Sequence, residues 1–144
     1  QYYNKAVQID PNDPESYYSV AFIDWTQAYK FRQEERNKLA MKATDPLKDK
    51  KVCDIVRTHN APPVEEGISL LNKALHLRQD YDDAMAYMNL MFRERADYEC
   101  DNLQARTADL KAADGWVDKT IATKKEKANR QGPGGIVMDQ PRQK

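Results

Sequence analysis

The stretch Asp10-Pro11-Asn12-Asp13-Pro14-Glu15-Ser16-Tyr17-Tyr18-Ser19-Val20-Ala21 stops one helix and starts another. Upstream, Tyr2 to Ile9 reads as helix, and the Asp-Pro-Asn-Asp-Pro run ends it. Downstream, Asp13 suits an N-cap, Pro14 the first helical position, and Glu15 the positive end of the helix dipole. Tyr17, Val20, Ala21, Trp25, Ala28 and Tyr29 then recur at intervals of three and four, the spacing of one buried helical stripe.

Outward from there the same grammar repeats. The second helix extends through Leu39 to Met41, and Asp45-Pro46 stops it. Val52, Ile55 and Val56 share one face of a short helix over residues 47–58, and His59-Asn60-Ala61-Pro62-Pro63 reads as a breaker. A further helix runs from about Val64 to Leu77 with Ile68, Leu71, Ala74 and Leu75 on its apolar side. The next begins near Asp82 or Asp83 and carries Ala84, Tyr87, Met88, Leu90, Met91 and Ala96. Asp101-Asn102 is the junction to a long last helix ending near Asn129. Its expected inward residues are Leu103, Ala105, Leu110, Ala113, Trp116, Val117 and Ile121. Gly132-Pro133-Gly134-Gly135 stops it, and residues 131–144 form an extended tail. No alternating run bounded by turn residues suggests a strand, so the fold class is all-α.

Composition narrows the functional classes. The chain has 144 residues, 32% of them charged, with 23 Lys and Arg against 23 Asp and Glu. With no net field, nothing recruits nucleic acid, and no apolar run is long enough to span a membrane. A mean hydropathy of −0.91 beside eight Tyr, two Trp and three Phe suits an elongated helical protein with much surface for its mass. The chain opens without an initiator Met, which reads as a processed form or a piece of a longer polypeptide.

An internal repeat organises these helices. Tyr3-Asn4-Lys5-Ala6-Val7, Leu71-Asn72-Lys73-Ala74-Leu75 and Val117-Asp118-Lys119-Thr120-Ile121 share one pattern of apolar, polar and small residues. Ala6 and Ala74 stand 68 positions apart, twice a period of roughly 34. On these residues the chain resembles the tetratricopeptide repeat family. Tyr3, Ala6 and Pro11 match the end of one repeat, and Tyr17, Val20 and Ala21 match the start of the next. Gly67, Leu71 and Ala74 match its second helix. Tyr87, Leu90 and Met91, then Ala113, Val117 and Thr120, match a third repeat. Met91 departs from the family's small residue, Gln79 stands where Pro is usual, and extra residues divide the middle repeat.

The resemblance implies a right-handed α-α superhelix. Residues 1–130 form the repeat domain: a half repeat over 1–13, a repeat over 14–80 with an inserted hairpin at about 28–61, and a lengthened repeat over 81–130. It also implies a non-enzymatic module binding a protein or peptide partner, with Asn72, Lys73, Asn89 and Arg93 as groove residues. The residues themselves agree on chemistry. There is no Gly-rich phosphate loop, and His59 and His76 are the only histidines. His59 and Cys53 supply two ligands, too few for a structural zinc site, and no cofactor is expected. Met85, Met88 and Met91 read as core, and the Lys124-to-Arg130 run as a solvated face.

Two questions stay open at this level. Cys53 and Cys100 are either a disulfide of an exported protein, pinning a projecting hairpin, or two buried thiols in a reducing cytoplasm. The partner is either another protein or further copies of the chain. Four acids against one Lys in residues 1–24, and seven basic residues against two acids in residues 119–144, suit head-to-tail assembly into a filament. Tyr2, Tyr3 and Val7 at one end and Ile136, Val137 and Met138 at the other are the contact residues for that alternative.

Overall fold

A computed structural model describes residues 9–39 and 49–131 of the protein. Among them are four helices and no strand: α1 (Pro14–Lys38), α2 (Lys50–Leu77), α3 (Asp82–Asp97) and α4 (Leu103–Arg130). The expected helix over Tyr2–Ile9 and the tail after Gln131 lie outside the described residues, apart from Ile9.

Three of the four starts are capped by side chains. Asp13 accepts from the Glu15 amide with Pro14 at the first position, Asp49 accepts from Lys51 and Val52, and Asn102 accepts from Ala105. Each cap satisfies amides that the first helical turn cannot pair internally. The fourth start has no side-chain cap; Asp82 and Asp83 in its first turn complement the dipole instead.

The helices form two antiparallel pairs. In the first, Glu15 of α1 meets Arg78 just beyond α2, and Phe31 stacks on His59. In the second, Asp82 of α3 meets Lys127 and Arg93 meets Asp114. The pairs lie side by side with α1 and α3 parallel, since Arg32 bonds Glu94 and Arg36 bonds Asp97. Val20, Ala21 and Ala28 of α1, Val64, Leu71 and Ala74 of α2, and Ala84, Met88 and Met91 of α3 form the buried core. Small residues bring the backbones close: a Cβ at Gly67 would overlap Met91 Cε and touch Asp24. The three methionines of α3 are core, as their spacing suggests.

Several sequence expectations are corrected. His59 to Pro63 does not break the chain; these residues lie inside α2, continuous from Lys50 to Leu77. Neither proline has an amide to give the carbonyl four residues back. Tertiary contacts hold the segment instead: Asn60, fully buried, donates from Nδ2 to the Ala28 carbonyl at 3.0 Å, and the His59 ring stacks on Phe31 at 3.8 Å. Of the residues read as an inserted hairpin at 28–61, 28–38 lie in the second half of α1 and 50–61 in the first half of α2. Helix α1 ends at Lys38, short of Met41. On the aromatic stripe, Val20, Ala21 and Ala28 are fully buried, whereas Tyr17 and Trp25 are half-buried and Tyr29 is exposed.

The phase of α4 also differs. Of its expected inward residues only Ala113 is fully buried, alongside Asp109 and Thr120, whereas Leu103 is 78% and Ile121 57% exposed. Among the described residues helix α4 packs on α3 alone, so a narrow stripe is covered: Leu110, Trp116 and Val117 are half-buried, and Leu103 and Ile121 face outward.

Candidate functional site

Parallel alignment of α1 and α3 builds an aromatic face. Tyr18, Phe22, Trp25 and Tyr29 recur at four, three and four along α1, which puts them in one row. Tyr87 of α3 stands edge-on to three of them, with ring centroids 5.6 Å from Tyr18, 5.5 Å from Phe22 and 5.5 Å from Trp25. Trp25 stacks on Tyr29 at 4.9 Å, and Tyr18 tilts against Tyr81 at 5.3 Å. Offset and edge-to-face geometry is the favoured arrangement of such rings. Phe22 is 42% and Tyr29 39% exposed, whereas Tyr18, Trp25 and Tyr87 are half-buried against the core, so the row joins the core to the surface. The Trp25 Nε1–H, itself shielded, has no hydrogen-bond partner among the described residues.

One end of the row rests on buried ion pairs. Arg32 lies 5.3 Å over the Tyr29 ring and grips Glu94 with two bonds of 2.8 and 2.9 Å. Arg36, fully buried, bonds Asp97 at 2.6 Å. Burial pushes the Glu94 carboxyl up against the opposing pull of Arg32. The other end opens into a cavity of about 430 Å³ lined by Glu15, Tyr18, Arg78, Tyr81, Asp82 and Asp83 among others. Burial pushes the Tyr18 phenol up to about 12, and the Tyr87 phenol and the Asp83 carboxylate add to the rise.

The expected groove residues fall into two separate settings. Asn72 and Lys73 are exposed on α2 and line a shallow groove with Tyr17, Ile68 and His76; Lys73 Nζ lies 5.9 Å over the Tyr17 ring. Asn89 and Arg93 sit on α3, where Arg93 donates to Asn89 at 2.7 Å and pairs with Asp114 of α4 at 2.8 Å. Tyr2, Tyr3, Val7, Ile136, Val137 and Met138 lie outside the described residues. Cys53 and Cys100 are at disulfide distance, with Cα atoms 6.5 Å apart. Arg57 binds the Tyr98 carbonyl and Asp101 beside them, so the α3–α4 link is fastened to the first half of α2.

His59 is engaged with Phe31 and Asn60 rather than with Cys53. Among the described residues no group of three or more His, Cys, Asp or Glu is gathered for a metal, and no helix is long and apolar enough to cross a membrane. The basic run near the end of α4 is largely satisfied within the chain: Lys124 and Lys127 pair with Asp82, and Arg130 with Asp80.

Sequence reasoning missed the aromatic face as a unit. The signal was present in the spacing of Tyr18, Phe22, Trp25 and Tyr29, but Tyr17 and the small residues beside it suggested a different phase. Comparison with protein-family models, curated proteins and solved structures finds no match.

Proposed function

We propose that the chain is a non-enzymatic helical-repeat scaffold of the tetratricopeptide type that binds a protein or peptide partner along the aromatic face of α1 and α3. The observation that carries this reading is the row of Tyr18, Phe22, Trp25 and Tyr29 with Tyr87, two of its rings standing well exposed on a rigid two-pair frame. Aromatic rings supply large contact area at little entropic cost, and such residues dominate binding energy at interfaces. Peptides selected from a random display library on the whole protein, then re-tested on a Phe22→Ala/Tyr29→Ala variant, test it. The expected result is at least about a tenfold loss of affinity, the cost of one or two hot-spot contacts. Equal binding to the variant would move the contact surface elsewhere.

A second reading, head-to-tail self-assembly into an exported polymer, draws support from α4. Its outer side carries exposed Leu103 and Ile121, and among the described residues its one helical neighbour is α3, so the edge suits another helical unit. The cysteine pair at disulfide distance favours an oxidising compartment for either reading. In sedimentation the second reading expects a concentration-dependent larger species that disappears when residues 132–144 are deleted. A species of one size in both proteins counts against it.

A further inference from the structure

Helix α4 has one long side buried and a second that no described helix covers. Asp109, Ala113 and Thr120 mark the buried side, which faces α3. The second side is a ridge: Leu103, Leu110 and Val117 follow at seven-residue intervals, with Ile121 four positions further on. At about 3.6 residues per turn they line up roughly a third of a turn round from the buried side. Leu103 and Ile121 are well exposed, and Leu110 and Val117 are half-buried along the ridge's inner edge. A seven-residue apolar repeat is the seam along which two helices coil together.

The charges beside the ridge bear on what lies against it. The two charged residues in line with it are already matched, Asp114 by Arg93 at 2.8 Å and Lys124 by Asp82 at 2.8 Å. One flank is occupied by α3. The other, turned to solvent, carries Gln104, Lys111, Asp118 and Lys125, again at seven-residue intervals and all exposed. The side chains of Lys111 and Asp118 have no ion-pair partner among the described residues. With one flank blocked, a second helix has to pair through the open flank alone. Antiparallel packing of two identical helices does this, because each sets its open flank against the other's. Placing Leu110 on Ile121 of the second copy also places Leu103 on its Ala128 and Lys111 beside its Asp118. The two-fold symmetry then repeats every contact in reverse. Sliding the pair by seven residues, so that Leu103 meets Ile121, instead brings the two copies of Lys111 together, and like charges reject that register.

We propose that α4 is the interface of a symmetric dimer, its ridge packed antiparallel on the same ridge of a second copy and held in register by two reciprocal Lys111–Asp118 ion pairs. Both copies use one patch, so the contact closes at two, unlike a head-to-tail contact, which propagates. The dimer makes no use of the aromatic face on α1 and α3. Its failure therefore leaves the interaction-module reading untouched.

Sedimentation of the full chain tests it. With rising concentration the species should pass in one step from 16.7 kDa to twice that mass and grow no further, the step being complete by about 100 μM for a micromolar dissociation constant. Lys111→Asp and Asp118→Lys each set like charges at both ion-pair positions, and each should weaken dimerisation by at least about tenfold. Mixed in equal amounts, the two variants should dimerise as the parent does, because each supplies at both positions the charge that the other lacks. Both positions are exposed, and recovery in the mixture establishes that the variants are folded. A monomer at every concentration, growth beyond two copies, single variants that dimerise like the parent, or a mixture that stays monomeric each overturns the proposal.

Discussion

Two glycines of similar sequence context separate packing from propensity at the scale of a single residue. Gly67 lies where α2 crosses α3, and a methyl there would collide with the buried thioether of Met91. Gly115 has nothing within 4 Å of its would-be Cβ. Alanine gains roughly 1 kcal/mol of helix propensity at either site, but overpacking at Gly67 costs about 1–3 kcal/mol. Urea unfolding should therefore find Gly67→Ala destabilised by at most about 2 kcal/mol, the Met91 terminus giving way in part, and Gly115→Ala stabilised by about 0.5–1 kcal/mol. Asp24, one helix over, governs a pH response. It is fully buried, and burial, then the neighbouring Glu66 carboxyl, raises it from 3.8 to about 8. The folded chain thus holds a proton that the unfolded chain releases near pH 4. Its contribution is complete below about pH 4 and is lost as pH rises towards about 8. Urea midpoints should fall across that window in the parent protein, whereas Asp24→Asn should flatten the slope and be the more stable of the two above about pH 8. A slope unchanged by the substitution would place the proton elsewhere. Gly67 was legible in the sequence as a match to the second helix of the repeat the chain resembles. Asp24 was not, because an acid among aromatics on an amphipathic helix reads as solvent-facing until the neighbouring helix is placed.

The elements themselves were legible wherever local chemistry decides them, and less so where tertiary contacts do. Asp13, Pro14 and Asn102 marked two helix starts correctly because capping is a property of a few adjacent residues. Pro62 and Pro63 misled for the same reason, since locally they argue for a break. What overrides them is non-local: the Asn60 bond to Ala28 and the Phe31–His59 stack fasten the turn just before the prolines to α1. The override leaves an energetic trace. Pro62 is exposed, so removing its ring creates no void, and an amide at that position can reach the Thr58 carbonyl. A helix-interior proline costs about 3 kcal/mol, partly offset by its restriction of the unfolded chain. Pro62→Ala should raise stability by about 1–2 kcal/mol with no loss of helical circular dichroism. Destabilisation instead would mean that α2 needs a bend at this point in order to meet α1. The aromatic face belongs to this scale as well: its row is written on α1, yet which side of the row is covered depends on where α3 lies.

For the whole molecule, the arrangement of the pairs explains why one cross-link matters. Helix α1 meets α3 through Arg32–Glu94 and Arg36–Asp97, while Cys53, Lys50 and Arg57 of α2 meet the link after α3. The far ends of α1 and α2 are thereby tied to the second pair, and the cysteines sit among these ties, between Lys50–Asp101 and Arg57. How α4 would be covered could not be read in advance, because Leu103 and Ile121 carry an apolar pattern that does not reveal how many neighbours a helix has. The cysteine pairing could be anticipated only as one of two alternatives, since spacing says nothing of distance across a fold. Closing a loop between positions 47 residues apart removes unfolded-state entropy equivalent to about 4 kcal/mol, with about 2–4 kcal/mol typical of measured bridges. Reduction by a dithiol should lower unfolding free energy by about 2–4 kcal/mol. The reduced chain should nevertheless keep its helices at room temperature, because the Arg57 bonds and the buried Arg36–Asp97 pair do not depend on sulfur oxidation. Cys100→Ser should match the reduced parent and lose all response to the dithiol. If parent and variant unfold alike with and without reductant, the two thiols are separate, and the case for an oxidising compartment goes with them.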